Sequence, residues 1–197
     1  MCLENCFDRM AHPVSSLCSQ KLGVSPNITT CMINTLCSMK HYIRTAYCDS
    51  DWSYTGTKNK PLQGGIQGNG AASPIFVAIS YVILQYLECE ITGIYIPSAI
   101  TLALLSLVAI MHVDDTDIML TGISYDETPT EISNQAQHAA TTYQNAVHQT
   151  GGAFRPNKFR WYSISFKWIS GKCHYIKRPT NTVISIKNNQ KTHKCIH

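Results

Sequence analysis

An α+β fold is predicted by three features of the chain. Two stretches carry apolar residues at helical spacing, a glycine-rich loop runs into a long apolar helix, and an apolar strand stops at paired aspartates and then resumes. With 197 residues and 44% apolar content, the chain has enough material for one domain with a core and a small appendage. No internal repeat or low-complexity stretch is evident in the sequence.

Residues 9 to 22 favour a helix ending at Gly23. Pro26 to Met39 favours a second, with Ile28, Met32, Ile33 and Leu36 at helical spacing and Ser25 or Asn27 available to cap its start. Tyr42 to Thr55 alternates as a strand does. Lys58 to Gly70 reads as a glycine-rich loop, and Ala72 to Leu87 as a long apolar helix with Ser73 and Pro74 in its first turn. Ile94 to Met111 is apolar enough to raise a membrane span, but Pro97, Ser98, Thr101, Ser106 and the three aspartates beyond fit a helix followed by a buried strand better. From Pro129 to Gln149, the residues Ile132, Ala136, Ala139 or Ala140, Tyr143 and Val147 mark one face of a helix that Gly151-Gly152 stops. Trp161 to Ile164 and Phe166 to Trp168 read as paired short strands, and beyond about Thr180 the chain is polar and weakly patterned.

The run Leu105 to Val113 ends at Asp114-Asp115, and Thr116-Asp117-Ile118-Met119-Leu120 leads out again, which makes a hairpin with carboxylates at its tip. Adjacent acids delivered by a buried strand repel and resist desolvation unless something positive neutralises them. Magnesium takes one or two carboxylates and fills its remaining positions with water and phosphate oxygens, so this tip suits phosphoryl transfer. An ordinary Asp-rich turn satisfies the same residues, because Asp is a favoured turn residue.

Charge is divided unevenly along the chain. Residues 1 to 154 hold six Lys/Arg and all twelve Asp/Glu, whereas residues 155 to 197 hold ten Lys/Arg and no acid. A basic segment after an acidic body suits a protein that grips a polyanion while holding cations. A solvated basic tail fits the same count. Nine cysteines form no C-x-x-C pair and follow no signal peptide, which points to a reduced intracellular compartment, cytoplasmic or nuclear. Cys173-His174 with His193, Cys195 and His197 match no standard zinc spacing.

Two further segments carry chemistry. Gly64-Gly65-Ile66-Gln67-Gly68-Asn69-Gly70 feeds the helix at Ala72, where unpaired N–H groups favour anionic or nucleotide ligands. Thr150 to Lys158 is a helix stop followed by a turn that presents a lysine. Glycine-rich turns and C-caps are common, and neither segment is specific alone.

Taken in order, these motifs resemble the palm of a reverse transcriptase of the retroelement kind. The family's Gln-Gly, then Ser-Pro, is matched by Gln67-Gly68 and Ser73-Pro74; its x-Val-Asp-Asp turn by His112-Val113-Asp114-Asp115; its Gly-Gly-x-x-x-Pro-x-Lys by Gly151-Gly152 and Pro156-Asn157-Lys158. Trp161 and Trp168-Ile169-Ser170-Gly171 follow near the palm's end. In the family's first motif an Asp precedes an aromatic-Asp pair; Phe7-Asp8 fits that pair, and Cys2 stands where the family has the metal-binding Asp. Relative to the commonest pattern, one extra residue separates Gln67-Gly68 from Ser73-Pro74, and His112 replaces a bulky residue.

The resemblance implies a palm-like antiparallel sheet with a catalytic hairpin packed against helices over residues 1 to 171, a basic and poorly ordered tail over 172 to 197, and fingers and thumb largely missing. It implies two-metal nucleotidyl transfer with Mg²⁺ or Mn²⁺ held by Asp114 and Asp115, and with Asp117 facing solvent or supporting from behind. Lys158 would protonate or screen the leaving pyrophosphate, Phe7 would block a ribose 2′-hydroxyl, and Gln67 and Gly68 would line the nucleotide pocket. The implied partners are an RNA template, a DNA primer and deoxynucleoside triphosphates, with the Lys and Arg residues after 155 on the template-primer backbone and no membrane. A fragment or decayed copy with impaired activity is the expected form, and a non-catalytic nucleic-acid-binding remnant is the alternative. A membrane-associated protein built on residues 94 to 111 is a third reading.

Overall fold

Turn chemistry decides most of the element boundaries in this chain. The computed structural model describes residues 3, 6–57, 62–65, 69–122, 127–176, 184–188 and 191–195. In chain order the elements are α1 (His12–Lys21), α2 (Pro26–Ser38), β1 (His41–Arg44), β2 (Asp49–Tyr54), α3 (Ala72–Glu90), β3 (Ile94–Pro97), β4 (Leu104–Leu107), β5 (Ala109–His112), β6 (Asp115–Ile118), α4 (Pro129–Gln149), a 3₁₀ turn (Pro156–Lys158), β7 (Ser165–Ile169), β8 (Lys172–Ile176), β9 (Ile184–Asn188) and β10 (Lys191–Cys195). The fold is mixed α+β, and among the described residues its strands form five antiparallel two-stranded sheets, each pairing sequence neighbours.

Several expectations are corrected by local geometry. The apolar stretch 94 to 111 contains no helix: β3 and β4 pair as a hairpin, with Ile94 opposite Leu107 and Pro97 opposite Leu104. Pro97 lacks a donor, and the Ser98 hydroxyl accepts from the N–H groups of Ile100 and Thr101, so the chain turns where helical spacing alone would continue. The strands there are not fully buried either, since Leu104, Leu105 and Ile110 are largely exposed. Residues 42 to 55 form the hairpin β1–β2 around a turn in which Thr45 N–H donates to the Cys48 carbonyl. Trp161 to Ile164 is not a strand: one residue cannot reverse the chain before Phe166. The reversal lies at Ser170-Gly171, both at positive φ as a type I′ loop requires, so β7 pairs with β8. Residue 171, where the palm was expected to end, falls inside that turn.

The helix ends follow capping chemistry. Ser25 occupies the N-cap of α2, but its side chain makes no capping bond. At α4 the Thr128 hydroxyl accepts from Glu131 N–H at 3.3 Å, while the Glu131 carboxylate accepts from Thr128 N–H at 2.6 Å, and Pro129 fills the first helical position. This reciprocal pair is a capping box. Thr128→Ala is expected to cost about 1 kcal/mol in urea unfolding. The Thr128 amide and hydroxyl hold the Glu131 carboxyl below its usual range, so its contribution is present above the unfolded-state pKa and fades as pH falls through the lower folded value. At the other end Gly151 has φ +87°, and the N–H groups of Gly151 and Gly152 return to the carbonyls of His148 and Val147, which stops the helix.

The chain divides into two compact units. The first comprises Met1–Leu3, Leu87–Asn145 and Phe154–His197; the second comprises Glu4–Tyr86 and Ala146–Ala153. In the first, Leu3, Leu87, Val108, Ala140, Tyr143 and Phe154 are buried. In the second, Ala72, Ile75, Phe76, Ile79 and Ile83 form the buried stripe of α3, with Met10, Cys18 and Leu36 also buried. Gly64 and Gly65 permit a close backbone approach there: a Cβ on Gly64 would lie 2.4 Å from the Phe7 carbonyl oxygen, and one on Gly65 would lie 2.8 Å from Ala72 Cβ. Among the described residues α3 is the helix long and apolar enough to cross a membrane, with 44% of its most apolar window buried. That property belongs to residues 72 to 90 and not to the 94 to 111 stretch.

Candidate active site

The β5–β6 hairpin closes through the two-residue loop Val113-Asp114, with His112 paired to Asp115 at its base. Val113 has φ +53°, the signature of a type II′ loop whose first position normally carries glycine. A β-branched residue held there costs roughly 1–3 kcal/mol, and such strain concentrates at functional turns. Val113→Gly is therefore expected to raise the free energy of unfolding by about 1 kcal/mol in urea titration, and a fall in stability would show that the loop is not strained.

Asp114 is half-buried, and its main-chain carbonyl accepts a hydrogen bond from Leu3 N–H at 2.8 Å. Leu3 also bridges Phe154 in antiparallel fashion, and both side chains are buried. Within the first unit, the residue after Cys2, the aspartate hairpin and the segment after Gly151-Gly152 thus converge at the hairpin tip. From below, the buried Thr116 hydroxyl hydrogen-bonds the Tyr143 hydroxyl of α4 at 2.5 Å, and the Tyr143 ring packs edge-on against Phe154 at 5.1 Å between centroids.

Strand alternation separates the acids. Asp115 and Asp117 lie on one exposed face of β6, opposite His112 and Ile110 of β5, while Thr116 points inward. Asp114 belongs to the loop. Asp117 also lines a cavity of about 560 Å³ together with Thr116, Ile132, Lys158, Trp161 and Phe166, a volume within the range of small-molecule sites. Asp114 and Asp115 stand at the tip, outside that lining. Lys158 is exposed at the end of the 3₁₀ turn, where its N–H donates to the Arg155 carbonyl at 2.9 Å.

Among the sequence-predicted site residues, Asp114, Asp115 and Lys158 fall in the first unit and Phe7 in the second. Phe7 packs against Phe76 at 5.3 Å, and its carbonyl accepts from Gly65 N–H at 2.7 Å, which ties the first motif to the start of the glycine-rich loop. Cys2, Gln67 and Gly68 lie outside the described residues. No group of three His, Cys, Asp or Glu side chains able to hold a metal occurs among the described residues. A site with only one or two carboxylates suits Mg²⁺ only where phosphate and water complete its shell. Comparison with protein-family models, with curated proteins and with solved structures finds no match to this chain.

Proposed function

We propose that this chain carries the palm of a reverse transcriptase of the retroelement kind, an RNA-directed DNA polymerase built for nucleotidyl transfer. The observation that supports the reading most is the Leu3 N–H on the Asp114 carbonyl at 2.8 Å, a non-local bond made to the aspartate turn by a residue within the stretch matched to the first motif. The strained Val113 and the Thr116–Tyr143 support beneath the strand are what a turn held in fixed geometry requires.

In this reading Asp114 and Asp115 are the residues that would hold Mg²⁺ or Mn²⁺. When bound, such ions lower the pKa of a primer 3′-hydroxyl and neutralise the triphosphate. The chain's own groups do the rest. The hairpin carries Asp114 and Asp115 at its tip, and Lys158, exposed on its turn, would offer a proton to departing pyrophosphate. Lys and Arg residues after position 155 neutralise nucleic-acid phosphates, and Phe7, Gln67 and Gly68 keep the nucleotide-contacting roles that the resemblance implies. Cys18, Cys31, Cys37, Cys48, Cys89 and Cys173 form no disulfide among the described residues, and the proposed intracellular compartment would keep them reduced.

Primer extension on an RNA template in magnesium tests the reading, with the chain and its Cys2→Asp and Asp114→Asn variants. Extension that depends on Asp114 supports it. Binding of primer-template without extension by any variant supports instead the non-catalytic nucleic-acid-binding remnant.

A further inference from the structure

Away from the aspartate hairpin, within the second unit, α1 and α2 bring a thiol and an imidazole together. Cys37 Sγ, near the end of α2, lies 3.3 Å from His12 Nδ1 at the start of α1. The other ring nitrogen, His12 Nε2, lies 2.8 Å from the Gly64 carbonyl oxygen. A carbonyl only accepts, so Nε2 carries the proton and Nδ1 presents its lone pair to the Cys37 S–H. The base is held firmly: His12 is buried at 8% exposure, Gly64 N–H donates to the Met10 carbonyl at 2.9 Å, and any Cβ on Gly64 would collide with the backbone of Phe7 and Asp8. Cys37 itself is exposed. A nucleophile within reach of a base, which is oriented in turn by a third group, is the arrangement that activates a side chain for covalent chemistry.

We propose that Cys37 and His12 form a thiol–disulfide exchange site that takes low-molecular-weight disulfides from solution, independently of the polymerase reading. In the exchange Cys37 Sγ attacks one sulfur of the small disulfide as its proton passes to His12 Nδ1. The Cys37–S bond forms, the reagent's S–S bond breaks, and the departing thiolate recovers a proton, the imidazole returning to neutral. Cys37 is oxidised and half of the reagent is reduced, so the electrons balance. The exposed Cys31, Cys48, Cys89 and Cys173 are not hydrogen-bonded to an imidazole among the described residues, and burial pushes the Cys18 thiol up. All five serve as internal standards.

The test treats the native full chain with oxidised glutathione and follows mixed-disulfide formation at each cysteine by peptide mass mapping. Cys37 is expected to react at least about tenfold faster than Cys31, Cys48, Cys89 and Cys173. In a folded His12→Asn chain, which keeps a polar group near the thiol but has no proton-accepting ring, that advantage is expected to vanish while the other rates hold. Should His12→Asn fail to fold, the native chain is compared with itself in urea, where the Cys37 advantage must disappear. Equal rates at Cys37 and the other exposed cysteines overturn the proposal, as does a fast Cys37 that is indifferent to a folded His12→Asn or to urea.

Discussion

Cys2→Asp is expected to raise magnesium-dependent primer extension on an RNA template at least about a hundredfold, and Asp114→Asn in that background to return it to the starting level. A hundredfold corresponds to about 2.7 kcal/mol of transition-state stabilisation, a reasonable share for completing the carboxylate set of a two-metal site. Magnesium prefers oxygen to sulfur, and Asp114 and Asp115 supply only two carboxylates at the hairpin tip. Leu3 N–H is bonded to the Asp114 carbonyl, and position 2 is where the resemblance expects the third carboxylate. Manganese binding measured by electron paramagnetic resonance gives a readout that needs no turnover: Cys2→Asp should tighten it about tenfold, and Asp114→Asn should weaken it. A wild-type chain that extends primers as well as Cys2→Asp, or extension unmoved by Asp114→Asn, would falsify the proposed role of these acids.

What was legible in the sequence tracks how local its cause is. Both ends of α4 are written within a few residues, in Pro129 at its start and in Gly151 after its end, and the sequence predicts its full span. The aspartate hairpin is likewise local, because an apolar run that meets two acids and resumes has few other ways to fold. The stretch 94 to 111 misleads because composition is uniformly apolar across two strands and their turn, and the decisive groups are one proline and one serine hydroxyl. Face assignment needs the register as well: only the pairing of His112 with Asp115 shows that Asp115 shares its face with Asp117 and not with Asp114. The contacts that matter most to each candidate site are non-local: Leu3 meets Asp114 at the hairpin, and separately His12 meets Cys37 across 25 residues, through folding that no spacing rule encodes.

Tyr143→Ala is expected to lower the unfolding free energy by about 3–5 kcal/mol, whereas Tyr143→Phe should cost only about 1 kcal/mol. Tyr143 is fully buried, so truncation leaves a ring-sized cavity between Phe154 and the underside of β6. Removing only the hydroxyl keeps the ring and its packing and deletes the 2.5 Å hydrogen bond to Thr116. The two variants therefore separate packing from polar support. Thr116 follows Asp115 on β6, so the hydroxyl fixes the roll of the strand that carries Asp115, one of the two proposed ligands. If the strand is held mainly by packing, Tyr143→Phe will bind manganese as the wild type does. If the hydrogen bond sets its orientation, the same variant will lose manganese affinity while keeping most of its stability in urea. A Tyr143→Phe chain as unstable as Tyr143→Ala would contradict both accounts, because it would place the energy in the hydroxyl and not in the ring.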